Sequence, residues 1–173
     1  MKIRFDVSEA SAKFEVVPYT ETNGVYAAVK PDEKTVQYII GVAEQLGVEV
    51  DKDKLHVTVM YSKRAPTGLT NVQEFLNTYN KVPAYLIGVD TFVGHKGKLI
   101  LAFKVVSETL LRIHSDLHRA GARHSFLPYM PHLTLSDDYD IAGKEDKIRE
   151  INELLAEAPW EVELHSLSVG DLT

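Results

Sequence analysis

The pattern His, apolar, Thr, apolar is written twice in this chain, as His56-Val57-Thr58-Val59 and, 76 residues later, as His132-Leu133-Thr134-Leu135. On an extended strand successive side chains point to opposite faces. His56 and Thr58 therefore share one face of a strand over 55–61, and His132 and Thr134 share one face of a strand over 131–136. The apolar residues between and after them turn the other way, toward a core. If the two strands lie side by side, two imidazoles converge on one cleft, mounted on rigid strands rather than mobile loops.

The rest of the chain supplies supports for such a pair. Short strands are predicted over 2–7 and 12–19, separated by a Ser-rich turn, and another over 24–29, rich in small and β-branched residues. Pro31 stands where a helix can begin, with Asp32 and Glu33 in its first turn to meet the dipole. Val36, Ile39, Ile40, Ala43 and Leu46 recur at helical spacing, and Gly47 ends the run. A charged turn over 51–54 leads into the first His strand. After Tyr61 come a basic loop over 62–68 and a short helix over 71–79. Two β-type runs, 82–93 and 98–106, are joined at Gly94-His95-Lys96-Gly97 as a hairpin. Ser107-Glu108 caps a further helix with Leu110, Ile113, His114, Leu117 and Gly121 on one stripe. A loop over 122–130 delivers the second His strand. A last helix over 143–157, with Ile148, Ile151, Leu154 and Leu155 inward, and a strand over 160–169 complete the chain. This order predicts an α+β fold of two related lobes, and with no linker or low-complexity stretch residues 1–173 are expected to form one domain.

Composition narrows the chemistry. There is no cysteine, which excludes disulfides, thiolate metal sites and a cysteine nucleophile and fits a reducing compartment. The N-terminal stretch lacks a signal-peptide apolar run and no segment approaches membrane-spanning length, so a cytoplasmic protein is expected. The net charge of −6 argues against coating a nucleic-acid polymer. It leaves room for a small anionic ligand, which needs only a local basic patch.

Two imidazoles flanking a phosphodiester divide general acid–base work: one, neutral, takes a proton from the attacking hydroxyl, while the other, protonated, gives one to the leaving oxygen. Thr58 and Thr134 are the candidates to hold the non-bridging phosphate oxygens. No metal or other cofactor is required. A zinc site is the competing reading, but two His without a carboxylate or further His on their own strands make a poor ligand set. A single His-x-Thr is weak evidence; the second copy is what points to function.

These paired tetrads resemble the twin His-x-Thr/Ser-x signatures of the 2H phosphoesterases. That resemblance implies a bilobal α+β fold, two pseudo-twofold lobes of antiparallel-rich sheet with helices outside and a central cleft. The runs His56-Val-Thr-Val-Met-Tyr-Ser62 and Met130-Pro-His-Leu-Thr-Leu135, with the Gly24-Val-Tyr26 segment, are most similar to the bacteriophage anti-CBASS phosphodiesterases. The resemblance implies hydrolysis of the 3′–5′ bonds of cyclic di- and trinucleotide messengers, without metal, as a countermeasure to host defence in the bacterial cytoplasm. It also implies a nucleotide-holding Tyr near the N-terminus and an acid near the C-terminus, for which Tyr26 and Glu161 are the best-placed candidates. The middle-of-chain aromatic of that family has no clear counterpart, because the one Trp is Trp160. An RNA 2′,3′-cyclic phosphodiesterase and a non-catalytic nucleotide sponge are the alternatives.

Other residues carry weaker expectations. Tyr61 falls on the apolar side of its strand by alternation and is expected in the core. Lys63 and Arg64 are placed to steer phosphate or simply to face solvent, and His95-Lys96 is a candidate flap at a hairpin tip. His114 and His118 have metal-ligating spacing, but His114 lies in the apolar stripe and is expected to pack. Arg123 and His124 precede the second motif as possible ligand contacts, and Glu161, Glu163 and His165 share one face of the last strand.

Overall fold

The computed structural model describes residues 2–4, 15–17, 24–64, 68, 71–94, 96–125 and 128–170. Strands β1 (Lys2–Arg4) and β2 (Glu15–Val17) form a two-stranded antiparallel sheet. The main body runs β3 (Val25–Pro31), α1 (Glu33–Gln45), β4 (Val57–Ser62), α2 (Val72–Thr78), β5 (Lys81–Val93), β6 (Leu99–Val106), α3 (Glu108–Arg119), β7 (His132–Ser136), α4 (Glu145–Glu157) and β8 (Trp160–Gly170). His95 lies outside the described residues.

Local chemistry sets the boundaries. Pro31 does not open α1: it is the last residue of β3, in register with Leu164, because a residue that lacks an N–H suits a strand end. Asp32 takes the capping role instead, its Oδ1 accepting the Thr35 N–H at 2.8 Å. Ser107 caps α3 in the same way through the Leu110 N–H, as the sequence predicts. On α4, Ile151 and Leu155 are buried, whereas Leu154 is exposed. At 100° per residue Leu154 falls off the edge of the stripe that Ile148, Ile151 and Leu155 define.

The six long strands form a closed antiparallel ring in the order β3-β4-β7-β6-β5-β8. The chain writes β-α-β-α-β twice, first as β3-α1-β4-α2-β5 and then as β6-α3-β7-α4-β8. In the ring each half contributes an adjacent pair, β3-β4 or β6-β7, and sends its last strand to the other half: β8 lies beside β3, and β5 beside β6. This is the expected pseudo-twofold α+β architecture. Burying apolar faces of both strands and helices holds it together, at roughly 1.5–3 kcal/mol gross per large side chain. Ile39 and Leu46 from the first half and Phe103, Leu110, Ile113, Leu117 and Leu133 from the second belong to one continuous core. No helix among the described residues is long and apolar enough to cross a membrane.

Candidate active site

The two halves meet where β4 and β7 touch, at the register pair Val57 and Leu133. Both are buried in the core. Their neighbours therefore turn to the opposite face: His56, Thr58 and His132 are half-buried there and Thr134 is exposed. Carrying the antiparallel register one residue to either side sets His56 against Thr134 and Thr58 against His132. Residues directly opposed in this way have Cβ atoms about 4.5–5.5 Å apart, and diagonal neighbours, as His56 and His132 are, stand roughly 7–8 Å apart. The four side chains of the two tetrads share one small patch.

Both imidazoles are aimed by the same device. His56 Nδ1 meets the Lys54 carbonyl at 2.8 Å, and His132 Nδ1 meets the Met130 carbonyl at 2.9 Å. A carbonyl accepts only, so each Nδ1 carries its proton and donates. In the neutral ring this leaves Nε2 as the acceptor nitrogen in both cases. Two histidines of matched tautomer on facing strands are equipped alike for giving or taking a proton.

The twofold likeness continues on the flanking strands. Ala28 is the register partner of Thr58, and Ala102 that of Thr134. Lys104 is the partner of His132, and the next step beyond the pair Val29 and Val57 places Lys30 beside His56. An Ala-x-Lys segment thus repeats after 74 residues alongside each His-x-Thr segment. Both alanines are buried beside the threonines, and the lysines put positive charge beside the histidines in a chain of net charge −6. Lys104 also pairs with Asp90 at 3.5 Å on the exposed surface.

An aromatic edge meets each imidazole. The Tyr26 ring stands 6.3 Å from that of His56 at 70°, and its hydroxyl lies 3.3 Å from Thr58 Oγ1. Burial raises the Tyr26 hydroxyl above the ordinary tyrosine range, with the Thr58 contact acting the other way. Phe92, on β5, stands 5.3 Å from His132 at 82°. Sequence alternation missed Phe92, because a bulge between Leu86 and Gly88 inverts the faces of β5 from that point on. Asn152 of α4 braces the bulge by bonding both the N–H and the carbonyl of Val89.

Tyr61 corrects an expectation for the same reason. A bulge in β4 makes Val59 and Met60 consecutive buried residues, so Tyr61 emerges half-exposed on the His face, edge-on to Tyr26 at 6.2 Å. It does not enter the core. Beneath this bulge lies a cluster of rings from α3 and the segment before β7. His114 stacks on Tyr129 at 4.1 Å and 1°, and His124 meets both edge-on. Burial, with like-charge repulsion from His114 and His132, holds His124 far below the ordinary imidazole value, at about 4.

The remaining candidates are dispersed. Glu161 is exposed and in register with Tyr85; His165, which is in register with Lys30, is four residues further along β8, or about 13 Å at strand spacing. The structure does not bring Glu161 to His56 and Thr58. Glu163 pairs with Lys81 on the surface, and His165 bonds the Pro31 carbonyl and Ser166. The Arg123 guanidinium folds back onto the carbonyls of His118 and Ala122 at the end of α3. Lys63 and Arg64 are exposed just past β4. His118 is exposed while His114 packs inward, so they share no ligand position.

Comparison with known proteins adds a family. The family model described as Anti-CBASS protein Acb1 matches residues 23–164. A relative from Vibrio phage KVP40, named Anti-CBASS protein Acb1, is 30% identical over 122 residues, covering 69% of this chain and 76% of its own. A protein of the same name from Escherichia phage RB16 is 31% identical over 134 residues, covering 75% and 73%. A solved structure described as a phosphoesterase covers 69% of this chain and 75% of its own at 18% identity, with a TM-score of 0.43.

Proposed function

This chain belongs to the Anti-CBASS protein Acb1 family, and from that premise we propose that it is a phosphodiesterase that hydrolyses the 3′–5′ bonds of cyclic di- and trinucleotide messengers. By destroying the signal inside the infected bacterial cell it would blunt CBASS defence. The observation that carries the chemical part of this reading is the seam at Val57 and Leu133, which supports a His and a Thr from each half acting on one phosphorus.

In the proposed reaction one neutral imidazole takes the proton of the ribose 2′-hydroxyl through Nε2. The 2′-oxygen forms a bond to phosphorus as the bond from phosphorus to the 5′-oxygen breaks. The second imidazole, protonated, delivers its Nε2 proton to that departing oxygen. The product, a 2′,3′-cyclic phosphate, is opened to a 3′-phosphate by water with the two roles exchanged. Thr58 and Thr134 donate to the non-bridging oxygens as their charge grows. The matched Nδ1 bonds of His56 and His132 fit either as acid or base. Both proton transfers are supplied by side chains, so the scheme calls for no metal.

Tyr26 is proposed to hold the nucleotide beside His56, and Phe92 offers an apolar edge beside His132. Glu161 as a base-reading acid requires a substrate that extends along β8 well beyond the histidines.

The test is incubation with cyclic di- and trinucleotides, a linear RNA and a 2′,3′-cyclic mononucleotide, in EDTA, with chromatography of the products. Opening of the cyclic oligonucleotides by the wild type and not by His56→Ala or His132→Ala supports the proposal. Activity on the mononucleotide alone identifies an RNA-end phosphodiesterase, and tight binding without any product identifies a sponge. Brisk cleavage of a 2′-deoxy substrate would exclude attack by the sugar hydroxyl.

A further inference from the structure

The bulge at Val59 leaves β4 with backbone groups that its ladder partners do not reach, and buried groups of that kind must find partners elsewhere. Three side chains supply them. The Tyr129 hydroxyl donates to the Thr58 carbonyl at 2.9 Å, and His114 Nδ1–H donates to the Val59 carbonyl at 2.8 Å. The Tyr61 N–H donates to His124 Nδ1 at 3.1 Å. The three rings hold one another by stacking and edge contacts. Between β4 and β7 themselves the ladder has a single register pair among the described residues.

Tyr129 occupies a particular place in this cluster. It stands three residues before His132, in the segment whose Met130 carbonyl orients the His132 ring. Its hydroxyl bonds the carbonyl of Thr58, two residues after His56. One hydrogen bond therefore ties the segment that aims the second imidazole to the strand that carries the first, on the side where the ladder has run out.

We propose that Tyr129, braced by His114 and His124, is a positioning residue that fixes the span between the His56 and His132 imidazoles. The role rests on the two-histidine reaction above, because its catalytic consequence exists only if both rings serve one phosphorus. In this role Tyr129 acts through Thr58 and through the chain entering β7. A misplacement of about 1 Å between reacting groups costs on the order of 100-fold in rate.

Tyr129→Phe removes the hydroxyl and keeps the ring stacked on His114. The variant is expected to lose about 10–100-fold in kcat on both a cyclic dinucleotide and bis(p-nitrophenyl) phosphate, with KM within about twofold. Its Tm should fall by no more than about 4 °C. His114→Asn, which keeps an N–H donor near the Nδ1 position, should retain more kcat than His114→Gln, which does not. The NMR chemical shifts of the His56 and His132 ring protons supply a readout that needs no turnover. Both sets of ring signals in Tyr129→Phe should move relative to wild type, because each reports the placement of its ring against its neighbours.

Unchanged kcat together with unchanged histidine ring shifts would overturn the proposal, as would a loss of Tm that accounts for the whole loss of activity. If the wild type cleaves no phosphodiester at all, the catalytic reading fails, and the histidine ring shifts alone decide whether Tyr129 sets the span.

Discussion

Tyr26 and Thr58 meet hydroxyl to hydroxyl, 3.3 Å apart, across neighbouring strands on the face where the two halves join. Thr58 shares that face with His56, so the contact fixes the direction of a group proposed to bind phosphate. Tyr26→Phe keeps the ring against His56 and removes only the hydroxyl. A net hydrogen-bond contribution of about 1 kcal/mol predicts a fall in kcat/KM of roughly fivefold, and Thr58→Val should cost more. The double variant measures the coupling: strict additivity in log kcat/KM would show that the two hydroxyls act apart.

Loss of either imidazole should be severe and not cumulative. His56→Ala and His132→Ala are each expected to lower kcat by about 10²–10⁴-fold while leaving binding of the cyclic nucleotide within a few-fold, read by calorimetry. The double variant should be little worse than the poorer single, since each half of the proton transfer is idle without the other. Independent, multiplying losses would argue that the two rings serve different steps.

Stability should weaken on the acid side through His124. Its folded-state value of about 4 lies below the roughly 6.5 of an unfolded chain, so the native protein binds fewer protons between these limits. The contribution is intact above about pH 6.5 and is lost progressively as pH falls toward 4. Protonated Nδ1 would also confront the Tyr61 N–H with a second donor. Urea midpoints measured from pH 7 to pH 4 should fall less steeply in His124→Asn than in wild type. Parallel curves would remove His124 from the explanation.

Lys30 and Lys104 place cations beside the two histidines in an acidic protein. Neutralising either with Gln should raise KM for a cyclic dinucleotide by about two- to fivefold and reduce the sensitivity of kcat/KM to added salt. The Asp90 pairing of Lys104 predicts the smaller effect at that position. Identical salt dependence in wild type and both variants would count against an electrostatic role.

Gly24 sits where the start of β3 presses on the end of β4. Its φ is +112°, and a Cβ there would lie 2.2 Å from the Ser62 carbonyl oxygen. Strain and overlap together predict that Gly24→Ala loses about 2–4 kcal/mol, a fall in Tm of roughly 5–15 °C in thermal melts. Tyr26, two residues on, should be displaced with it.

How much of this was legible in the sequence follows from the range of the forces involved. The faces of His56, Thr58, His132 and Thr134 are a local property of extended backbone, and alternation predicts them directly. The α1 and α3 stripes are local in the same sense. Tyr61 and Phe92 are not, because each depends on a bulge that exists only in the pairing of one strand with another, and a one-residue insertion inverts every face beyond it. Tyr129, His114 and His124 come together from separate elements, and nothing in their spacing announces it. Lys30 and Lys104 were visible as letters, yet only register shows that each accompanies a histidine. Glu161 illustrates the converse: a residue of suitable chemistry on the predicted strand lies well along β8 from the paired rings.

The exchange of last strands between the halves bears on how a ligand reaches the histidines. Because β5 completes the sheet of the second half and β8 that of the first, the halves are joined by the long β3–β8 and β5–β6 ladders as well as by the pair Val57 and Leu133 of β4 and β7. One half cannot swing away from the other without breaking those ladders. Adaptation to ligands of different girth must then come from rotamers and from the connections between strands. The framework around the two imidazoles behaves as a fixed gauge rather than as a jaw.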